Sequence, residues 1–155
     1  MKTSKSSVKV SIGVCFVLCG ALLFFVCFGP WVFEIYMTKY RGFLPDGEAL
    51  AMLKTVFAAA FYPSAAFAAI ILYSLLKLLF NIKQEKIFIT ENITLLRVVS
   101  WCCLVIMLIT FVGGMFYMPL IFVALAGGFV GLMLRVLMNV MRSAVELREE
   151  NDLTI

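Results

Sequence analysis

The sequence predicts an all-α membrane protein: a four-helix transmembrane bundle with up-down-up-down connectivity, whose fourth helix extends into the cytoplasm. Composition is the first observation, since 64% of the 155 residues are hydrophobic and only 14% are charged, against roughly 25% charged in soluble domains. The second is a stretch of 37 residues, Val98 to Leu134, without one charged side chain. The third is the uneven distribution of lysine and arginine along the chain.

The charge-free stretch is too long to cross a membrane once. As a single helix it would extend about 55 Å, nearly twice the ~30 Å hydrocarbon core of a bilayer. A Gly-Gly pair at 113–114 and a Tyr-Met-Pro sequence at 117–119 place helix breakers at its middle. We therefore expect a tight turn between two spans, with Arg97 and Arg135 on the same side of the membrane.

The first half of the chain contains two further spans. Three lysines precede an apolar run over residues 10–33, which is longer than the ~7 to 15 residue core of a secretory signal. We expect an uncleaved span whose helix stops at the Gly-Pro-Trp sequence 29–31, followed by an outer segment over 34–47. The predicted spans are residues 10–33, 50–80, 96–117 and 120–141, and a cytoplasmic tail over 142–155 completes a single domain over 1–155.

Basic residues predict the orientation. Of the 13 lysines and arginines, only Lys39, Arg41 and Lys54 fall on the segments between the first two spans, and the other ten fall on the opposite set. Because cytoplasmic segments carry an excess of basic residues, we expect a multi-pass protein of the cell membrane with both termini in the cytoplasm. On this inner side, Thr90 is the expected N-cap of the third helix.

Small residues recur at helical spacing in two spans. Ala60, Ser64 and Ala68 lie four residues apart in the second span, and Gly127 and Gly131 form a GxxxG pair in the fourth. Such narrow faces let membrane helices approach closely. We expect the two faces to pack against each other, with a homo-oligomer as the alternative.

Arg135 lies close to the apolar part of the fourth span. It comes about 23 Å along a helix that needs ~30 Å to cross the hydrocarbon core. Two interpretations stay open. Its long side chain either reaches the inner headgroups, or it faces a cleft open to the cytoplasm together with Arg97 and Asn139 and forms a small site that attracts anions.

The C-terminal segment is acidic, whereas the other segments expected on the cytoplasmic side are basic. Carboxylates near a helix C-terminus interact unfavourably with the helix dipole, and the last apolar residues have no evident core to join. The segment is either a solvated tail or a docking motif for the inner loop or a cytosolic partner. The candidate partner-binding residues are Glu149, Glu150, Asp152, Leu153 and Ile155.

The sequence argues against catalysis. It has no histidine, its five cysteines all fall within apolar spans, and no carboxylate lies at hydrocarbon depth. Enzymes need a nucleophile, an acid/base pair or a metal, and proton-coupled transporters usually need an ionisable residue at mid-membrane. We predict a non-enzymatic protein with no cofactor, no metal and no direct binding of nucleic acid, surrounded by the lipid bilayer. A small transporter or channel component, in its best version dimeric, is the alternative.

Two stretches, residues 87–103 and 144–155, resemble a bacterial family of small membrane proteins, domain of unknown function 2975 (DUF2975). The acidic tail is the more specific stretch, and residues 88–97 resemble an inner-loop pattern of an aromatic residue, a cap, Glu-Asn and a basic residue. The resemblance implies no established activity. Family members are often encoded beside a small helix-turn-helix regulator, so it implies a partner: a cytosolic DNA-binding protein that the membrane protein regulates or tethers.

Overall fold

The computed structural model describes residues 2–40, 47–84 and 89–152. They form the four helices α1 (Lys2–Tyr40), α2 (Gly47–Lys83), α3 (Thr90–Gly114) and α4 (Pro119–Asp152). Each of these helices is long and apolar enough to cross a membrane. The predicted all-α class and the four membrane-spanning helices are therefore confirmed.

The four helices are arranged as an open row. Within the described residues only consecutive helices pack together: α1 on α2, α2 on α3, and α3 on α4. The outward surfaces of α1 and α4 carry large exposed apolar side chains, among them Phe24, Leu125 and Val136. Apolar surface of this extent is a liability in water, whereas lipid chains cover it at no cost, so the exposed surfaces fit a multi-pass membrane protein.

The glycines of α4 pack against α3. A Cβ atom placed on Gly131 would lie 3.3 Å from the Cβ of Cys103, and one on Gly128 would lie 2.7 Å from the sulfur of Met107. Close approach of the two backbones depends on the missing side chains. It also allows the hydroxyl of Ser100 to donate a hydrogen bond of 2.9 Å to the carbonyl of Gly131 inside the interface.

The expected match between the small faces of α2 and α4 is wrong, because α3 lies between these helices. Gly127 faces the backbone of Cys103 in α3. Ala60 of α2 is buried and lies 3.2 Å from the position of a Cβ atom on Gly113, also in α3. Ser64 and Ala68 are half-buried on α2. Ala60 and Gly127 therefore both lie against α3, and within the described residues α2 and α4 do not pack on each other.

The first helix does not stop at the Gly-Pro-Trp sequence. It continues through Pro30 to Tyr40, so the first part of the expected outer segment is helical. Proline removes one backbone hydrogen bond, but in a bilayer every other backbone group must stay paired within the helix, which favours continuation. Gly29 meanwhile lies against the ring of Phe61 in α2, with 3.3 Å between that ring and a Cβ atom built on the glycine.

The start of α3 differs by one residue from the prediction. Ile89 occupies the N-cap position with an extended backbone (φ −127°, ψ 147°) and no side-chain cap bond. Thr90 is the first helical residue, so its assignment as the cap is wrong. The backbone N–H of Asn92 donates to the carbonyl of Ile89 at 3.0 Å. The first turn therefore closes without a side-chain cap.

The turn between α3 and α4 lies where the helix breakers predict it. The backbone N–H of Tyr117 donates to the carbonyl of Gly113 at 3.0 Å, α3 ends at Gly114, and Pro119 begins α4. Proline suits the first position of a helix because its missing N–H would have no partner there. From Pro119, α4 continues without a break through 34 residues to Asp152.

Candidate functional site

A polar network joins the end of α2 to the start of α3. Asn92 is 0% exposed, and its carboxamide oxygen accepts a hydrogen bond of 2.8 Å from Nδ2 of Asn81. The same Nδ2 lies 3.2 Å from a carboxylate oxygen of Glu91. Lys77 pairs with the other oxygen of Glu91 at 2.8 Å. These contacts fix the end of α2 against α3, and a buried amide is tolerated because its oxygen is hydrogen-bonded.

A second polar feature lies between α3 and α4, and we call it the arginine cleft. Its volume is about 280 Å³. Each helix contributes three lining residues. On each helix the second and third of these come three and four positions after the first, so they lie on one face. They are Arg97, Ser100 and Trp101 of α3, and Arg135, Met138 and Asn139 of α4.

The three residues that the sequence suggested for an anion-attracting site thus surround one cleft. The guanidinium of Arg135 lies 4.7 Å from the centroid of the Trp101 ring, a cation–π geometry. An arginine placed over an aromatic ring can still donate N–H groups to acceptors. Within the described parts of the chain, neither Arg97 nor Arg135 has a salt bridge to a carboxylate.

A third feature, at the other end of the row, was not predicted. Phe33 of α1 stacks on Phe57 of α2 with ring centroids 4.3 Å apart, and Phe57 stacks on Phe61 at 5.3 Å. An open pocket of about 730 Å³ lies beside them, with the ion pair of Lys54 and Glu34 (3.0 Å) on its wall. The four-residue spacing of Phe57 and Phe61 was a signal, but placing the end of the first helix near residue 30 removed Phe33 from consideration.

Comparison with known families gives the relation of this chain to other proteins. Residues 44–155, well over half of the chain, match the family described as "Protein of unknown function (DUF2975)". The chain belongs to the DUF2975 family. Comparisons with curated proteins and with solved structures found no match.

The DUF2975 match covers both polar features. It includes all of α2, α3 and α4, and therefore the polar network and the arginine cleft, whereas α1 precedes it. Both polar features of this DUF2975 protein therefore lie within the matched segment.

The acidic tail of this DUF2975 chain is the end of α4. Glu149, Glu150 and Asp152 lie in the last turns of the helix, and its final turn contains no basic residue. For Glu149 and Asp152 the structure describes the backbone but not the side chain. The predicted docking residues Leu153 and Ile155 lie outside the described residues. One to two turns earlier, Arg142 pairs with Glu146 at 3.0 Å.

Potential metal ligands are dispersed in this DUF2975 protein. Across residues 2–40, 47–84 and 89–152, no three histidine, cysteine, aspartate or glutamate side chains gather into a group that could hold an ion. All five cysteines are free thiols.

Proposed function

We propose that this protein is a non-enzymatic, multi-pass protein of the cell membrane that tethers a small cytosolic DNA-binding regulator. The observation that carries the proposal is the length of α4, which is one helix from Pro119 to Asp152. Its 34 residues correspond to about 51 Å, roughly 20 Å more than the hydrocarbon core requires. The acidic end of α4 would then stand in the cytoplasm as a rigid docking segment.

The chemistry of this end favours a cationic partner. Glu149, Glu150 and Asp152 lie where the negative end of the helix dipole makes carboxylates unfavourable, and a basic surface would offset that cost. The DNA-contacting face of a helix-turn-helix protein is such a surface, since it binds phosphates. A regulator held on the tail by this face could not bind DNA. The gene neighbourhood implied by the DUF2975 resemblance supports this choice of partner.

The transporter alternative has less support. In the described part of the chain the helices form an open row, and an open row encloses no path across a membrane. A transport function would therefore need at least a second copy of the chain.

Removing the tail should release the partner without affecting membrane insertion. Two variants test this: a truncation after Leu147, and the triple change Glu149→Gln, Glu150→Gln, Asp152→Asn. For each, we expect normal amounts in the membrane and at least tenfold less of the neighbouring regulator co-purified, because loss of about 1.4 kcal/mol is tenfold in affinity. The measurement is co-purification from detergent extracts at low and at physiological salt.

Glu146→Gln is the matched control for the tail variants. It removes one carboxylate from the same helix, but Glu146 already pairs with Arg142 within α4, so we expect the regulator to be retained. If both tail variants insert normally and keep the regulator at both salt concentrations, the tail has no part in tethering.

We also propose that the four helices cross the membrane up-down-up-down with both termini in the cytoplasm. The partition of basic residues supports this orientation. The contacts between consecutive helices support the connectivity, since residues near the end of one helix meet residues near the start of the next. One example is Asn81 with Asn92, and another is Glu34 with Lys54.

Labelling of introduced cysteines tests the orientation. We expect Met118→Cys, in the turn between α3 and α4, to react with a membrane-impermeant maleimide on intact cells, and Gln84→Cys, at the end of α2, to react only after lysis. Both positions are exposed, and the wild-type protein serves as the blank because its five cysteines lie in apolar helices. Labelling of Gln84→Cys but not Met118→Cys on intact cells would reverse the orientation.

A further inference from the structure

We propose that the arginine cleft binds a phosphate group, and that this phosphate belongs to an anionic phospholipid of the inner leaflet. The site is formed by Arg97, Arg135 and Asn139, with Trp101 as a stacking platform. This inference goes beyond tethering and does not depend on it, because no residue of the tail takes part.

The two arginines lie at the same depth, which is the depth of lipid phosphates. Arg97 comes 17 residues before the end of α3 at Gly114, or about 26 Å. Arg135 comes 16 residues after the start of α4 at Pro119, or about 24 Å. Counted from the turn between these helices, both side chains therefore start near the inner boundary of a ~30 Å hydrocarbon core and extend towards the headgroups.

Trp101 marks the same level independently. Trp101 is 55% exposed although its ring lies against Arg135, so part of the residue holds the arginine and the rest faces lipid. Tryptophan is enriched at this interface because its ring is apolar and its N–H is polar. The stack also restricts the rotamers of Arg135, so that less conformational entropy is lost when its N–H groups bind an acceptor.

The donors of the cleft suit a phosphate. Each guanidinium presents N–H groups in a planar fork that matches two oxygens of a phosphate, and Asn139 adds an amide one turn from Arg135. The hydroxyl of Ser100 is not available as a donor, since it is bonded to the carbonyl of Gly131. Basic pockets between membrane helices on the cytoplasmic side are a recurrent form of site for anionic headgroups.

The described part of the chain does not supply the counter-charge. The two carboxylates nearest to the cleft along these helices are both engaged elsewhere: Glu91 pairs with Lys77 and Glu146 pairs with Arg142. Unneutralised arginines near the hydrocarbon are costly. An anion from the surroundings would remove this cost, and at this depth the inner-leaflet phospholipids are the most concentrated source.

Quenching of Trp101 by brominated lipid tests the proposal. The chain has two tryptophans, so Trp31→Phe leaves Trp101, which lines the cleft, as the only tryptophan, and its emission is excited selectively over that of the tyrosines. The full-length variant is reconstituted in phosphatidylcholine vesicles that contain increasing amounts of chain-brominated phosphatidylglycerol or chain-brominated phosphatidylcholine. We expect half-maximal quenching at about a tenfold lower mole fraction of the brominated phosphatidylglycerol, because each arginine near the membrane surface adds to the attraction of anionic lipid.

Two variants in this background assign the preference to the cleft. Arg97→Gln should reduce the preference to about twofold or less while Arg135 stays over Trp101, since the two guanidinium groups bind the phosphate together and only one of them remains. Arg142→Gln removes the same charge from α4 outside the cleft, and there we expect the preference to persist. Equal quenching by both lipids in the parent protein, or an equal loss of preference in the two variants, overturns the proposal.

A separate arm distinguishes the two sources of phosphate. Inorganic phosphate is added to the parent protein in pure phosphatidylcholine vesicles, and the emission is compared with that after addition of chloride. No change in Trp101 emission supports the lipid assignment. A change that disappears in Arg97→Gln overturns the lipid assignment and gives the cleft to free phosphate.

Discussion

Gly131→Leu is expected to separate α3 from α4 and to cause a larger loss of stability than any other single change proposed for this chain. A Cβ atom at this position would lie 3.3 Å from three atoms of Cys103 and Leu104, and leucine adds three further carbons. Overpacking of this kind typically costs roughly 1 to 3 kcal/mol. Separation of the backbones also breaks the buried hydrogen bond from Ser100 to Gly131, which adds about 1 to 3 kcal/mol for the unsatisfied groups. The measurement is the thermal midpoint of the purified protein in detergent.

The chain offers two controls for this change. Gly13→Leu on α1 makes the same substitution where a Cβ atom meets nothing within 4 Å, so we expect it to be neutral. Leu132→Ala changes the next residue of α4, whose side chain is exposed, and should also be close to neutral. If Gly131→Leu has the same midpoint as these controls, α4 does not pack on α3 through its glycines.

Asn92→Leu should have the second largest effect, because it removes the centre of the network between α2 and α3. Leucine has the same branched arrangement of four side-chain heavy atoms but no acceptor for Nδ2 of Asn81, which now bonds to Asn92 at 2.8 Å. Nδ2 of the half-buried Asn81 keeps its contact with Glu91 but loses the acceptor of its second N–H, and an unpaired donor costs roughly 1 to 3 kcal/mol when it is buried. We therefore expect a lower thermal midpoint in detergent, and more rapid proteolysis near the connection between the two helices.

A double change separates a lost hydrogen bond from a packing defect. Replacing both partners, Asn81→Leu with Asn92→Leu, leaves no orphaned donor, so we expect part of the stability to return. Gln84→Leu, an exposed amide close to the end of α2, is the matched control and should be neutral. A double variant that is as unstable as the sum of the single variants would show that the amides do not act as a pair.

The hairpin of α3 and α4 could be predicted from the sequence because it follows from lengths alone. A charge-free stretch too long for one crossing, with glycines and a proline at its centre, permits only one turn. The same arithmetic places Arg97 and Arg135 at equal depth. It does not give the rotation of either helix, so the stacking of Arg135 on Trp101 required the structure.

The contact partner of a small-residue face could not be predicted in the same way. The spacing of Gly127 and Gly131 identifies the side of α4 that another helix can approach. It does not identify that helix, because the surface that fills the groove consists of ordinary side chains, here Cys103, Leu104 and Met107 of α3. The helix boundary near Pro30 was mispredicted for a related reason. Local propensity penalises an internal proline, but the bilayer penalises an open backbone more.

The open row has a consequence for how the protein is built. Because each helix packs only on its neighbours in sequence, every helix–helix interface is complete as soon as the second of its two helices has been synthesised. Among the described residues, the edge-to-face contact of Phe33 in α1 with Tyr117 in the turn before α4 joins distant parts of the chain, but no helix–helix interface does so. Such local connectivity is the kind that assembles fastest. Within the described residues α1 packs on neither α3 nor α4, and every residue that lines the arginine cleft lies on α3 or α4. We therefore expect a chain with an exchanged first helix to form the hairpin that holds the arginine cleft.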